Sequence, residues 1–112
     1  MKSKRVDPPG VTVLTPKGRM VGGSETDDLK KAIDEVVEKG ENKLVVDLGE
    51  TLYLNSSALG ILIAAHKKFA EKGGKMKLCR VNKSIENILV ITKLSLVFEV
   101  FDEEADAIAS FK

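Results

Sequence analysis

The side chains best suited to chemistry in this sequence are two adjacent hydroxyls, Ser56 and Ser57, at the predicted start of a long helix. Asn55 precedes them, and asparagine is a preferred N-cap because its side-chain oxygen accepts a hydrogen bond from a free backbone N–H. With Asn55 as the cap, Leu54 and Leu59 form the apolar pair that brackets many helix starts. The two serines would then lie beside unpaired N–H groups at the positive end of a helix dipole, which is a good place to hold a phosphate.

The other reactive side chains form no recognisable catalytic group. Local chemistry alone makes the two serines ordinary first-turn residues. His66 falls on the apolar stripe of the same helix, so we expect a packed or half-buried core residue; at about 1.5 Å per residue it is too far from Ser56 to act as its base. Cys79 is typical of a small apolar residue in a strand. Asp47 ends a strand with no second carboxylate visibly paired with it. We therefore expect no enzyme, and a small enzyme using Ser56 or Asp47 is the weakest hypothesis.

Composition and motifs exclude several classes of function. Neither common glycine-rich nucleotide loop is present, and one histidine with one cysteine cannot form a usual zinc site, so we expect no cofactor and no metal. A net charge of +1 without tryptophan argues against a nucleic-acid partner. The single cysteine permits no internal disulfide and fits a reducing cytoplasm. No signal peptide is recognisable and the longest apolar run is too short for a membrane span, so we expect a cytoplasmic protein with no membrane partner.

Strands and helices alternate along the chain, which predicts a single α/β domain over residues 1–112. The nearly unbroken apolar run of Leu44, Val45, Val46 and Leu48 predicts a central strand covered on both faces. Residues 1–10 should form an arm or an edge strand, because Pro8 and Pro9 exclude a central one. A hairpin at Pro16–Gly18 would make the sheet mixed. The other predicted strands are 11–14, 19–21, 75–81 and 97–101.

Four helices are predicted, packed mainly on one face of a mixed sheet of four or five strands. The first runs from a Ser24 cap to about Lys39 and ends at Gly40, and the last begins at an Asp102 cap. Residues 48–55 are predicted to be a loop at the carboxyl end of the central strand, where sites in such sheets occur. The expected buried faces are Leu29, Ala32, Ile33, Val36 and Val37; Leu59, Leu62, Ile63, Phe69 and Ala70; Ile85, Ile88 and Leu89; and Ala105, Ile108 and Ala109.

The run Val-Val-Asp-Leu, a short loop and then Asn-Ser-Ser-Ala-Leu-Gly resembles the STAS domain of bacterial anti-sigma factor antagonists. The family signature at this point is Asp-Ser-Ser/Ala-Gly-Leu-Gly. The resemblance extends from Val11 to about Phe111 and includes the order of the elements. Two signature positions differ, because Asn55 replaces Asp and Ala58 replaces Gly. The segment 19–21 also stands where the family commonly has an acidic residue.

The resemblance implies a phosphorylation switch. In this family the first signature serine, which aligns with Ser56, is phosphorylated by a cognate anti-sigma factor that is also a serine kinase. The unmodified antagonist binds that protein and frees a sigma factor, phosphorylation blocks the binding, and a serine phosphatase resets the cycle. Ser57 is the alternative site, and we expect a monomer or a weak dimer. The expected partner contacts are Val21, Gly22, Gly23, Ser24, Leu54, Asn55, Ser56, Ser57 and Ala58.

A second hypothesis keeps the same fold but removes the switch. The chain would then be a STAS scaffold or a small-ligand-sensing module that is not phosphorylated. One observation would distinguish the two hypotheses: whether a neighbouring gene encodes an anti-sigma factor that resembles a serine kinase.

Overall fold

The computed structural model describes residues 1–111. They form seven strands: β1 (Lys2–Val6), β2 (Val11–Thr15), β3 (Lys17–Met20), β4 (Lys43–Asp47), β5 (Glu50–Leu54), β6 (Lys75–Cys79) and β7 (Val100–Phe101). The four helices are α1 (Ser24–Glu38), α2 (Ser56–Glu71), α3 (Lys83–Ile91) and α4 (Glu104–Ala109), and a short 3-10 helix spans Leu94–Leu96.

The main sheet has five strands in the order β1-β2-β4-β6-β7. β1 runs antiparallel to β2, and the other neighbours are parallel. This confirms the predicted mixed sheet, with β1 as an edge strand. β4 lies between β2 and β6, as its apolar run predicted.

The two faces of the main sheet bury separate cores. The larger core contains residues of α1, α2 and α3 together with Leu44 and Val46 of β4. Val45 points the other way, into a smaller core that includes Cys79 of β6 and Ala107 of α4. Successive side chains of a strand point to opposite faces, so β4 contributes to both cores. Three helices lie on one face and one on the other, which confirms the predicted layering.

The predicted hairpin at Pro16–Gly18 does not form. The chain leaves the main sheet at Pro16. The next strand, β3, pairs in parallel with β5 in a separate two-stranded sheet. Pro16 has no N–H with which to extend the ladder of β2, and its carbonyl accepts a buried hydrogen bond from the Thr51 hydroxyl at 3.0 Å. The mixed character of the main sheet therefore comes from β1. β5 itself occupies most of the stretch that was predicted to be a loop.

Two of the predicted helix caps are wrong. Gly23, not Ser24, occupies the N-cap of α1, and the hydroxyl of Thr26 accepts the Gly22 N–H at 2.9 Å. Glu103, not Asp102, precedes α4 and makes no side-chain cap. Gly40 does end α1, with a φ of +78° that favours glycine.

Some predicted buried residues and strand ends also change. α2 buries Ala58, Leu59, Leu62, Ala65 and Phe69, whereas Ile63 and Ala70 are exposed. α4 buries Ala107 and leaves Ala105 and Ala109 exposed. The predicted strand at 97–101 is reduced to Val100–Phe101. The N–H groups of Val97 and Phe98 instead donate to the Leu94 carbonyl of the 3-10 helix. β6 ends at Cys79, before the predicted residue 81.

Candidate functional site: the start of helix α2 and the turn beside it

α2 begins where the local sequence predicted. Asn55 has an extended backbone, and its Oδ1 accepts a hydrogen bond from the Ala58 N–H at 3.0 Å. The Leu59 N–H donates to the Asn55 carbonyl at 3.0 Å and closes the first helical turn. Leu54 and Leu59 are both buried in the larger core, as expected of the apolar pair that brackets a helix start. Ser56 is therefore the first residue of the helix and Ser57 the second.

The turn after β3 lies against this helix start. The Asn55 N–H donates to the Met20 carbonyl at 3.0 Å, which joins the ends of β3 and β5. A Cβ atom on Gly22 would lie 4.0 Å from both Ser57 Oγ and Asn55 Nδ2, and Gly22 has a φ of +91°. The tertiary structure thus brings together the two segments that the sequence predicted to share one surface.

Seven of the nine predicted contact residues reach the surface, and two do not. Leu54 and Ala58 are 1% and 0% exposed, so their side chains belong to the core and cannot face a partner. The other seven are exposed or half-buried: Val21, Gly22, Gly23, Ser24, Asn55, Ser56 and Ser57.

The electrostatics of this helix start suit an added anion. The first turn of α2 contains no acidic residue, whereas the first turn of α1 contains Glu25 and Asp27. A negative group on Ser56 would therefore meet the positive end of the α2 dipole without repulsion from a carboxylate in its own first turn. The Arg19 guanidinium, 5.2 Å from the Tyr53 ring centroid, adds a positive charge on the β3–β5 pair that leads to the site.

The two serines have different surroundings. Ser57 lines a cavity of about 250 Å³ between α1 and α2, with Lys30 and Ile33 on the α1 side. It also lies close to Gly22, as described above. Ser56 is exposed and does not line that cavity. Both hydroxyls are therefore accessible to a partner, and Ser57 differs in lying beside α1 and Gly22.

Comparison with known proteins decides the family. A sequence model of the STAS domain matches residues 4–107. The chain belongs to the STAS family. This STAS domain is 25% identical over 88 residues to the anti-sigma F factor antagonist of Paenibacillus polymyxa, an alignment that covers 78% of this chain and 75% of that protein.

Solved structures agree with the family assignment. A candidate anti-sigma factor antagonist from Thermotoga maritima, solved by crystallography, superposes on this STAS domain with a TM-score of 0.88 and is 26% identical. That superposition covers 97% of this chain and 92% of the other. An anti-sigma factor antagonist from Mycobacterium paratuberculosis has a TM-score of 0.80 and is 25% identical, with the same two coverages.

The STAS domain also contains a charged cluster that its sequence did not reveal. Asp47 at the end of β4 is buried and accepts the Gly49 N–H at 2.8 Å. Arg80 Nε lies 3.2 Å from the same oxygen, Asp47 Oδ1. Glu104 of α4 hydrogen-bonds to Asp47 and pairs with Lys4 of β1 at 2.5 Å. The expectation that no second carboxylate pairs with Asp47 is therefore wrong. The two carboxylates are far apart in sequence, and no local motif could have joined them.

The two carboxyl groups of this cluster titrate in opposite directions. Burial raises the pKa of Asp47, and the hydrogen bond with Glu104 raises it further. The Gly49 N–H and the charge of Arg80 lower this pKa, but by less. Burial alone would raise the pKa of Glu104, but hydrogen bonds with Asp47 and Lys4 and the charges of Lys4 and Arg80 outweigh it and lower that pKa. Asp47 therefore keeps its proton to a higher pH than usual and donates it to an ionised Glu104.

The remaining reactive side chains of the STAS domain are structural. His66 is half-buried, as predicted, with its ring centroid 5.5 Å from that of Phe98 in an edge-on contact. Cys79 is fully buried, as predicted, and burial followed by the charges of Asp47 and Glu104 raises its pKa to about 12. Within residues 1–111, no group of three or more His, Cys, Asp or Glu side chains could hold a metal ion. None of the helices in this described part of the chain has the length and apolar character needed to cross a membrane.

Proposed function

We propose that this STAS domain is an anti-sigma factor antagonist whose binding is switched off by phosphorylation of Ser56. It binds a cognate anti-sigma factor that is also a serine kinase, and this binding releases a sigma factor in the cytoplasm. A serine phosphatase restores the unmodified form. The observation that carries the proposal is the exposed Ser56 hydroxyl in the first turn of a capped helix, at the position of the family's signature serine.

A phosphate on Ser56 is compatible with the fold. It adds a charge of about −1.5 to −2 at neutral pH. At a helix N-terminus such a charge is favourable by roughly 0.3–2 kcal/mol, and the first turn of α2 has no carboxylate to oppose it. Because the side chain points to solvent, the phosphate displaces no core residue. We therefore expect the modified protein to stay folded.

The same phosphate opposes partner binding. The proposed contact surface consists of the exposed turn and helix start, with Ser56 inside it. A partner that covers this surface would have to remove water from a doubly charged group, and that desolvation is costly unless the partner supplies its own cations. Binding and release are therefore controlled at the surface while the core is unchanged. The contacts assigned here are Val21, Gly22, Gly23, Ser24, Asn55, Ser56 and Ser57.

The test compares the wild type with Ser56→Ala, Ser56→Asp and the matched control Ser57→Ala. A pull-down from the source cell identifies the kinase, and each protein is then incubated with it and ATP. We expect mass spectrometry to find phosphate on Ser56 in the wild type and in Ser57→Ala, and none in Ser56→Ala. Ser56→Ala should bind the kinase as tightly as the wild type, whereas Ser56→Asp should bind more weakly, since one carboxylate imitates a phosphate only in part.

Two results would contradict the proposal in different ways. Phosphate found on Ser57 alone would move the site by one residue. Equal affinities of the phosphorylated and unmodified proteins, with unchanged circular dichroism, would exclude the switch.

The second candidate function, a small-ligand sensor, has one observation in its favour. A cavity of about 570 Å³ opens at the carboxyl ends of β2, β4 and β6, the end of a parallel sheet at which ligands bind. Thr15, Asp47 and Arg80 line it, together with Lys4 and Glu104. This candidate would gain support if Ser56 is never modified in the cell.

A further inference from the structure

The edge of the main sheet at β7 carries a cluster of exposed apolar side chains from three neighbouring elements: the end of α3, the 3-10 helix and β7. Single exposed apolar residues are common, but a cluster of them marks an interaction surface. Ile91 and Leu96 are 80% and 83% exposed, which is extreme for aliphatic side chains. The cluster, which we name the β7 surface, consists of Val90, Ile91, Leu96, Val97 and Val100.

The β7 surface contains both a hollow and a protrusion. A cavity of about 380 Å³ lies between α3 and β7, and the buried side chains of Leu89 and Phe98 are part of its lining. Val90 and Val100 of the β7 surface also line it. Leu96 follows Ser95, another lining residue, and projects into solvent. A two-fold symmetric contact needs a surface that complements itself, so that each copy supplies the protrusion that fills the hollow of the other.

The backbone of this edge is also open to pairing. The carbonyls of Glu99 and Phe101 accept hydrogen bonds from the N–H groups of Leu78 in β6 and of Arg80 just after it, at 3.0 Å each. In a parallel ladder the polar groups of the residue between them point away from the partner strand, so the N–H and C=O of Val100 face outward. The opposite edge, β1, carries Lys2, Lys4 and Arg5, and such charges discourage edge pairing. The two sheet edges therefore differ in what they can accept.

The charges beside the β7 surface complement each other. Lys93 lies between Ile91 and the 3-10 helix, and Asp102 lines the cavity. Neither makes an ion pair within the part of the chain that the structure describes, residues 1–111. Within those residues, Lys93 and Asp102 therefore supply one unpaired charge of each sign beside the β7 surface, which is what a two-fold contact needs for two reciprocal ion pairs.

We propose that two copies of this chain associate through the β7 surface, with Leu96 of each copy in the cavity of the other. The interface is small, since it centres on five aliphatic side chains, and standard interfaces bury about 800 Å² per partner. We therefore expect a weak dimer, with a dissociation constant of roughly 10 µM to 1 mM. The proposal does not depend on Ser56 or on the anti-sigma factor.

Sedimentation velocity of the full chain over concentrations from about 10 µM to about 1 mM tests this range directly. The wild type should shift from monomer to dimer as its concentration rises. Leu96→Glu should weaken the dimer by about tenfold or more, because the new carboxylate would lose its water in a cavity whose lining already has two carboxylates, Glu86 and Asp102, against one cation, Arg80. The matched control is Leu52→Glu, which changes another exposed leucine, in β5 and outside the β7 surface, and should associate like the wild type. Circular dichroism checks that each variant is folded.

A charge-reversal experiment tests the two-fold arrangement without altering the apolar residues. Lys93→Glu and Asp102→Lys should each weaken the dimer, since each places like charges opposite one another. The double variant should regain most of the lost affinity. These charge variants also test the proposed dimer if Leu96→Glu fails to fold.

Three results would overturn the proposal. The first is a wild type that stays monomeric up to about 1 mM, the weak end of the expected range. The second is a folded Leu96→Glu variant that dimerises as well as the wild type. The third is a double charge reversal that is no better than either single change, which would exclude the Lys93–Asp102 pairing.

Discussion

At the scale of single residues, the start of α2 depends more on Asn55 than on Ser56. Asn55 Oδ1 caps the Ala58 N–H, whereas the Ser56 side chain is exposed. We expect Asn55→Ala to lower the free energy of unfolding by roughly 0.5–2 kcal/mol and Ser56→Ala to lower it by less. Denaturant unfolding of both variants measures the order. A larger loss for Ser56→Ala would contradict the cap assignment and would also complicate the use of that variant in phosphorylation assays.

The Cys79 thiol should be unreactive in the folded protein. Its thiol is buried in the smaller core, and burial together with the charges of Asp47 and Glu104 raises its pKa to about 12. Because the thiolate is the reactive form, we expect a thiol reagent at about pH 8 to label the native protein far more slowly than the guanidinium-unfolded protein. The rate of labelling by a chromogenic disulfide reagent measures this. Rapid labelling of the native state would show that the smaller core opens readily.

At the scale of elements, Asn82 joins α3 to the small sheet. Its Oδ1 caps the Ile85 N–H at 2.8 Å, and its Nδ2 donates to the carbonyls of Thr51 and Leu52 in β5, each at 3.2 Å. One side chain therefore satisfies a helix end and also holds the strand that leads to the candidate site. Both roles depend on the amide group, which offers an acceptor and a donor together.

Substitutions at Asn82 should separate these two roles. Asn82→Ala removes both the cap and the two bonds to β5, and we expect it to cost roughly 1–3 kcal/mol, more than Asn55→Ala. Asn82→Asp keeps the capping oxygen but cannot donate to the carbonyls, so its cost should be intermediate. Denaturant unfolding of the three proteins measures the order. If Asn82→Asp were as costly as Asn82→Ala, the cap would contribute little and the link to β5 would dominate.

At the scale of the whole molecule, the cluster around Asp47 and Glu104 joins β1, β4 and α4 with Arg80 just after β6, and it makes stability depend on pH. The pKa of Asp47 is raised, so its contribution is favourable at low pH and is lost as the pH rises through that raised value. The pKa of Glu104 is lowered, so its contribution is present above the usual value of 4.5 and is lost as the pH falls through the lowered value. The pair is most favourable between the two pKa values, with Asp47 protonated and Glu104 ionised.

Asp47→Asn tests this pairing because the amide imitates a protonated carboxyl group at every pH. The Asn side chain can still accept the Gly49 N–H and can donate to Glu104. Relative to the wild type, we expect the variant to gain stability as the pH rises above the raised pKa of Asp47, and to gain none between the two pKa values. Denaturant unfolding at several pH values, with Glu104→Gln as the comparison, measures the difference. A constant difference between Asp47→Asn and the wild type at all pH values would contradict the assigned proton.

The sequence by itself determined the features that depend on neighbouring residues. The Asn55 cap, the buried run of β4 and the left-handed Gly40 each rest on contacts within one or two turns of chain or on one strand's own pattern. The order of strands and helices then limited the topology to a largely parallel sheet with right-handed crossovers. Local chemistry placed both Ser56 and Ser57 at a helix start, but the choice of Ser56 as the candidate site came from the resemblance to the family signature.

Only the tertiary structure decided which distant segments meet. β3 pairs with β5 rather than with β2, and Lys77 is buried in β6 because Ser110, Phe111 and Glu99 surround its ammonium group. These contacts join pieces of chain that are separated by more than twenty residues. Periodicity and capping describe a segment and its immediate neighbours, so they carry no information about which remote partner will offset the burial of a charge or complete a strand pair.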